Sequence, residues 1–399
     1  MERREFVKKS GMAIAGVSVA TSAMTNLNII KNIGQTVNIG VIGTGDRGGG
    51  LIPFINEIEG IQVSACCDIL PFRLENGMKQ VNGKAKAYKD YRALLDDKEI
   101  DAILVAVPFS EHSKIMMDAL SAGKHIYGEK TLVKGYDAVR DIIEKKKNYK
   151  NLVFQTGHQY HSSRLYTSVV EMIKDGKIGN ISAFESQWNR NGNWRRPVPD
   201  PKFERLINWR MYREYSGGLT AELCSHQIDF ANWVLNEIPK EVVGLGGIDY
   251  WKDGRETFDN IHLVYNYPSG VKATYTCLTS NSKDDYLIKV MGDKGTIILD
   301  YTKAWFYPEG KPDKPLGNVD GVSGATMKWQ EGRGIPLEVS HEDPSKQALI
   351  DFKNSIINES EPISDLITGS KASIAVQMGL DALYTKKLVS WQSEYDDWF

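Results

Sequence analysis

Gly43-Thr44-Gly45-Asp46-Arg47-Gly48 follows directly on a short apolar run, Val37 to Ile42, and Asp68 stands twenty residues beyond its last glycine. Glycines at this spacing make a tight turn, let the backbone approach a pyrophosphate, and let a following helix pack closely on the strand. The N-terminus of that helix then faces the phosphate charge. A carboxylate at the end of the second strand can hold both ribose hydroxyls, so Asp68 favours NAD over NADP; Arg47 and Arg73, close in sequence, would soften that preference. Further along, Glu222 and His226 are four residues apart in a stretch that reads as a helix, so they share one face. Histidine titrates near neutrality and suits proton removal. These two side chains could also be metal ligands, but no third ligand stands at diagnostic spacing, and we expect no metal.

Between these two groups the chain is dense in Trp and Arg: Trp188, Arg190, Trp194, Arg195, Arg196, Trp209, Arg210 and Arg213. Aromatic faces stack on sugar C–H surfaces, and guanidinium groups bind hydroxyls or carboxylates. One reading is a carbohydrate-binding loop, with Arg190, Trp194, Arg195, Trp209 and Arg213 as contacts. An interdomain or dimer clamp would favour the same residue types.

The elements that must position these groups fall into two sets. Val37–Ile42, Ile61–Cys67, Ala102–Val107, His125–Tyr127 and Val153–Gln155 are short apolar runs alternating with helical patterns, which predicts a doubly wound parallel sheet. Near residue 158 the pattern changes. Ile181–Trp188, Glu241–Ile248, Asn260–Tyr267, Val271–Leu278, Tyr286–Met291 and Thr296–Leu299 read as strands separated by turn signals, which predicts a largely antiparallel open sheet with helices on one face. Gly217–Leu235 reads as a helix, residues 304–335 as a loop, and Asp343–Ile356 and Gly369–Tyr384 as helices. His158, Gln159 and Tyr160 follow the last strand of the first set, where the chain enters the crevice between the halves, and are expected to touch nicotinamide or substrate, with His158 and Tyr160 as substrate contacts. The expected organisation is therefore an α/β Rossmann domain over residues 37–157 and an α+β substrate and oligomerisation domain over residues 158–399.

Bulk properties agree with a two-domain soluble enzyme. The 399 residues exceed one ordinary core. A net charge of −2 gives no electrostatic footprint for nucleic acid. The four cysteines, Cys66, Cys67, Cys224 and Cys277, form no C-x-x-C pair and are expected to be free. Arg3-Arg4 before a small, weakly apolar run from Gly11 to Ala23 reads as a Tat export signal, with residues 1–36 as signal and linker and the Tat translocase as a transient partner. The run is too short to span a membrane. Tat carries folded proteins, so an exported enzyme would take a tightly bound cofactor with it into the periplasm.

Several segments together resemble the Gfo/Idh/MocA oxidoreductase family: Ile103–Val107 running into Pro108 and His112, Gly123-Lys124-His125-Ile126-Tyr127-Gly128-Glu129-Lys130, Gly176-Lys177-Ile178-Gly179, and Gly217-Gly218 leading to Glu222 and His226. The resemblance implies that Gly43, Thr44, Gly45, Asp46, Arg47 and Gly48 cradle the pyrophosphate and that Pro108 and His112 flank the dinucleotide. It further implies Glu129, Lys130 and Gln159 beside the nicotinamide, Lys130 reaching the oxygen of the reacting carbon, and His226 as acid/base with Glu222 on the same helix. Thr131 stands where the family usually has proline, Glu222 where it has aspartate, and Cys224 where it has glycine.

The chemistry expected is hydride transfer between a sugar or glycoside carbon and nicotinamide. His226 takes the hydroxyl proton and the Lys130 ammonium stabilises the oxygen; a desolvated Lys130 as proton acceptor is the alternative. The resemblance also implies a homodimer or homotetramer. Two other functions stay open: a glycosidase that oxidises its sugar transiently, eliminates and re-reduces, and a sugar-binding protein without turnover.

Overall fold

The computed structural model describes residues 36–309, 334–340 and 342–399. The expected signal over residues 1–35, most of the loop expected over residues 304–335, and His341 lie outside them.

The first half alternates strands and helices: β1 (Val37–Ile42), α1 (Asp46–Asn56), β2 (Ile61–Cys67), α2 (Pro71–Gln80), β3 (Lys86–Tyr88), α3 (Tyr91–Asp96), β4 (Ala102–Val105), α4 (His112–Ser121), β5 (His125–Gly128), α5 (Tyr136–Lys147) and β6 (Phe154–Thr156). All six strands pair in parallel in the order β3-β2-β1-β4-β5-β6. The order reverses between β1 and β4, and ligands of such sheets bind in the crevice outside the strand ends at that point. The central strands β1 and β4 are almost wholly buried and β4 reads as a continuous apolar run, whereas β2 carries exposed Gln62 and half-buried Ser64 near its start.

The second half opens with α6 (Arg164–Lys174) and β7 (Ile181–Trp188). A π-helical turn, Thr220–Cys224, leads into α7 (Ser225–Leu235), followed by β8 (Glu241–Gly247), β9 (Asn260–Asn266), β10 (Lys272–Leu278), β11 (Tyr286–Gly292), β12 (Gly295–Leu299) and β13 (Ala304–Pro308). With β14 (Ile335–Pro336) and β15 (Val389–Ser390) these strands form a nine-stranded sheet, β14-β13-β12-β11-β7-β10-β9-β8-β15, antiparallel except for the parallel pair β7 and β10. β13 was expected as loop. It pairs with β12 from Ala304 to Pro308, and its signal was diluted by the Pro- and Gly-rich sequence that follows.

Helices α8 (Pro344–Ile357) and α9 (Leu366–Thr385) close the chain. Helix α8, which follows the second sheet in sequence, packs on α1; its Ala348, Leu349 and Phe352 join the core formed by Ile39, Val41, Leu51, Leu104 and Tyr127. Helix α9 lies between α5 and β6 on one side and β8 and α7 on the other. Its Ile374, Ala375, Met378 and Ala382 are buried, and it binds the two halves into one body around their crevice. Among the described residues no helix is long and apolar enough to cross a membrane.

Candidate active site

The glycine loop forms a cradle that side chains would fill. Gly43 has φ +87°, and a Cβ there would come 2.4 Å from the Ala106 carbonyl oxygen; at Gly48 it would come 1.9 Å from the Gly43 carbonyl oxygen. Helix α1 therefore sits directly on the turn after β1. Its N-cap, Gly45, has no capping side chain, so the first-turn N–H groups face the crevice. Asp68 is buried beside them and accepts hydrogen bonds from Thr44 N and Leu70 N, both at 2.9 Å. The Arg73 guanidinium lies against Gly45. This loop fits the pyrophosphate and ribose of a dinucleotide, whereas an ordinary side chain at Gly43 or Gly48 would not fit the loop at all.

The other two residues of the motif point elsewhere. Arg47 donates to Glu129 Oε1 at 2.7 Å and to Ser345 Oγ at 3.1 Å, tying α1 to the end of β5 and to α8. Asp46 pairs with Arg196 at 3.0 Å, and Phe203 packs edge-on against Phe72 at 6.0 Å between ring centroids. The segment between β7 and the π-turn thus crosses to the rim of the dinucleotide cradle.

The Glu129-Lys130 segment is fixed from several sides. The Lys130–Thr131 peptide bond is cis with threonine in the proline position. Thr131 Oγ1 donates to Ala221 O at 2.9 Å and Lys130 Nζ to Glu222 O at 2.5 Å. Both acceptors lie in the π-turn, whose wider winding leaves carbonyls available to partners outside the helix. His112 was expected to flank the dinucleotide. Its Nδ1 instead meets the carbonyls of Thr131 and Leu132 at 3.0 and 3.1 Å and its Nε2 that of Val107 at 3.0 Å, so it clips the segment from behind; Pro108 caps the turn preceding it.

Glu222 was expected to share a helix face with His226. An α-helix would set residues four apart on one face; here the Glu222 carboxylate turns to Arg210 Nε at 2.9 Å and Ser216 Oγ at 3.4 Å. Glu222 acts through its carbonyl, which holds Lys130. His226 is surrounded by Tyr160, Trp188 and His158, with ring centroids 5.1, 5.8 and 6.0 Å away.

Burial, with the Lys130 and Arg47 charges, holds the His226 imidazole well below its ordinary pKa. Burial also lowers Lys130, against the pull of Glu222 and Glu129. A neutral imidazole beside an ammonium is the pairing that proton removal from a hydroxyl requires.

Around these groups, buried polar atoms lack partners: His226 Nδ1, both nitrogens of His158, Gln159 Oε1, Trp188 Nε1, Arg190 Nε and Arg47 Nη2. Such an atom costs about 1–3 kcal/mol when left unpaired. Their convergence on one crevice marks it as a place where a polar ligand completes the hydrogen bonding.

The Trp/Arg segment divides. The Arg190 guanidinium lies over Trp188 and Trp194, and both Arg190 and Trp194 line an open pocket of about 540 Å³ with Asn189, Ser282 and Asp285. Arg195 was expected to meet substrate; it is instead paired with Glu204 and Asp253. Arg213, also expected there, stacks on Tyr384 of α9, 3.7 Å from the ring centroid. Trp209 is buried in the core beneath Arg210. Arg195 and Arg213 are thus engaged by side chains too far along the sequence to be inferred from spacing. Sequence reasoning gave no role to Asp229 and His161, a buried pair at 2.8 Å beneath the site, or to Arg210. Among the described residues no group of three or more His, Cys, Asp or Glu could hold a metal ion.

Two family models match the chain: an oxidoreductase family with an NAD-binding Rossmann fold over residues 37–158, and the GFO/IDH/MocA C-terminal domain over residues 166–298. The chain belongs to the Gfo/Idh/MocA oxidoreductase family. It is 27% identical over 361 residues to a 2,7-anhydro-N-acetylneuraminate hydratase of Escherichia coli K12, covering 85% of this chain and 92% of that protein. It is 28% identical over 273 residues to a myo-inositol 2-dehydrogenase of Thermotoga maritima, covering 66% and 75%. The structure of an aldose-aldose oxidoreductase of Caulobacter crescentus, complexed with glycerol, superposes with a TM-score of 0.71 at 19% identity over 90% of this chain and all of that one, a likeness of fold. Membership makes this an NAD-binding oxidoreductase.

Proposed function

We propose that the protein oxidises a hydroxyl carbon of a sugar or glycoside, with Lys130 and His226 working on the same substrate oxygen. The observation that carries this reading is the placement of the Lys130 ammonium and the neutral His226 imidazole among unpartnered polar atoms, in the crevice onto which the glycine cradle opens. When bound, nicotinamide takes up the hydride. Gly43, Gly45 and Gly48 hold the pyrophosphate. Asp68 takes the ribose and favours NAD, with Arg73 lying close enough to temper that choice. Lys130, oriented by the Glu222 carbonyl, stabilises the negative charge that grows on the oxygen, and His226 accepts the proton. Tyr160, Trp188, Arg190 and Trp194 supply faces and donors for a carbohydrate ring. The relatedness to a hydratase of an anhydro sugar supports a second reading, in which oxidation is transient and elimination follows.

The Asp46–Arg196 bridge and the Phe72–Phe203 contact close the segment after β7 over the cradle, which supports a dinucleotide retained through many turnovers. Retention suits export by Tat to the periplasm, as the twin arginine suggests. Exposed Val243, Leu245 and Val264 give the open face of the second sheet an apolar patch, which supports a homodimer or homotetramer. The test is to denature the purified protein, identify the released dinucleotide, and follow its redox state in the native protein across a panel of pyranosides and inositols. Reduction by some of these is expected. A protein that neither carries nor binds a dinucleotide would refute the reading.

A further inference from the structure

The buried and half-buried arginines of the second half are neutralised by carboxylates, with one exception. Arg195 pairs with Glu204 and Asp253, Arg210 with Glu222, and Arg255 with Asp253. Arg190 is half-buried and has no ion pair among the described residues, and its buried Nε has no hydrogen-bond partner. Two indoles orient it. The guanidinium lies 5.4 Å from the Trp188 ring centroid and 5.7 Å from that of Trp194. Trp194 holds its place with φ +65°, a conformation costly for a bulky residue and concentrated at ligand sites. A guanidinium stacked on aromatic faces keeps its N–H edge for another partner, and a carboxylate has the two oxygens that match that edge.

Arg190 and Trp194 line an open pocket of about 540 Å³ with Asn189, Ser282 and Asp285. Asn189 Oδ1 is also buried without a partner, an acceptor suited to a sugar hydroxyl. Asp285, the acidic residue of the lining, is exposed and forms no ion pair with Arg190. Trp188 links the pocket to the reacting end of the crevice, its ring 5.8 Å from that of His226. There Lys130 is likewise met by a carbonyl rather than a carboxylate. The substrate end of the crevice therefore carries two cations that no carboxylate bonds.

We propose that this pocket is a carboxylate subsite anchored by Arg190, and that the substrates are acidic sugars: uronic acids and their glycosides, or glycosides whose aglycone bears the acid. The inference rests on the sugar oxidation proposed above and narrows its substrate class. A neutral sugar offers the guanidinium a hydroxyl, whereas a carboxylate answers both its charge and its paired donors.

Methyl β-glucuronide and methyl β-glucoside present one ring with and without the acid; 4-carboxyphenyl and phenyl β-glucoside place it on the aglycone. Cofactor reduction is measured for both pairs with wild type, Arg190→Gln and Arg190→Lys, each loaded with dinucleotide. In wild type, kcat/KM for one acid is expected to exceed that for its neutral partner by about 10-fold or more, through KM. The pair that shows the preference locates the carboxylate on ring or aglycone. Arg190→Gln is expected to lower the preference about 10–10²-fold, and Arg190→Lys by less, because it keeps the charge and loses the fork. Calorimetric titration with the same sugars reads the subsite without turnover. Tighter binding of an acid than of its neutral partner, lost in Arg190→Gln but with no cofactor reduction, would refute the oxidation and uphold the subsite. Equal kcat/KM and equal affinity within both pairs would overturn the proposal, as would an acid preference that survives in folded Arg190→Gln.

Discussion

At the scale of residues, the account turns on how one ammonium and two imidazoles share a dry space. Lys130 is held by a backbone carbonyl rather than by a carboxylate, so its charge stays available to the substrate oxygen. Lys130→Met is expected to lower the hydride-transfer rate by about 10²–10³-fold with the dinucleotide still bound, measured by pre-steady-state absorbance of reduced nicotinamide. The imidazoles also carry a pH signature. Burial holds His158 and His226 below the value of about 6.5 that an unfolded histidine has. As pH falls below that value the unfolded chain takes up protons that the native state does not. Their contribution to stability is therefore complete above about pH 6.5 and is lost toward the lower folded values, by up to about 1.4 kcal/mol per histidine per pH unit. The double variant His158→Gln/His226→Gln is expected to flatten the decline of the unfolding midpoint between neutral and mildly acidic pH. An unchanged slope would contradict the placement of both rings as neutral.

At the scale of elements, the π-turn before α7 and the return of α8 to the first half do the positioning. The turn presents the carbonyls of Ala221 and Glu222 to Thr131 and Lys130. Phe352 of α8 is fully buried and meets Tyr127 of β5 edge-on, with centroids 5.7 Å apart. Phe352→Ala is expected to cost about 3–5 kcal/mol, read from the urea midpoint of the first half, and to loosen dinucleotide binding. The longer strands and the glycine cradle were legible in the sequence because each rests on local period or spacing, whereas the short strands β3, β13, β14 and β15 were not. What was not legible depends on tertiary partners. The helical period set Glu222 and His226 on one face, and nothing in it announced that the Glu222 carboxylate would bond to Arg210 and Ser216. Arg195 and Arg213 looked like ligand contacts by type, yet each is taken by side chains at least nine residues away in sequence. The His161–Asp229 pair spans 68 residues and has no local signal.

At the scale of the whole molecule, α9 and the segment after β7 join two sheets into one body with a crevice between them, while β8 and β9 leave Val243, Leu245 and Val264 exposed on the second sheet. Leu245 is 65% exposed on β8. Leu245→Glu is expected to shift the protein to a smaller oligomer in sedimentation velocity without loss of bound dinucleotide. A protein that sediments as the monomer before mutation would contradict that reading of the sheet.

The central claim is that Lys130 and His226 act together on one substrate oxygen beside bound nicotinamide, and it is tested most directly by single-turnover hydride transfer. Wild type, Lys130→Met, His226→Asn and the double variant, each loaded with dinucleotide, are mixed with a sugar that reduces the wild-type cofactor. The account predicts a large loss in each single variant and little further loss in the double, because groups that serve one transition state are not additive. Reduction at the wild-type rate in either single variant, or losses that multiply in the double, would contradict it.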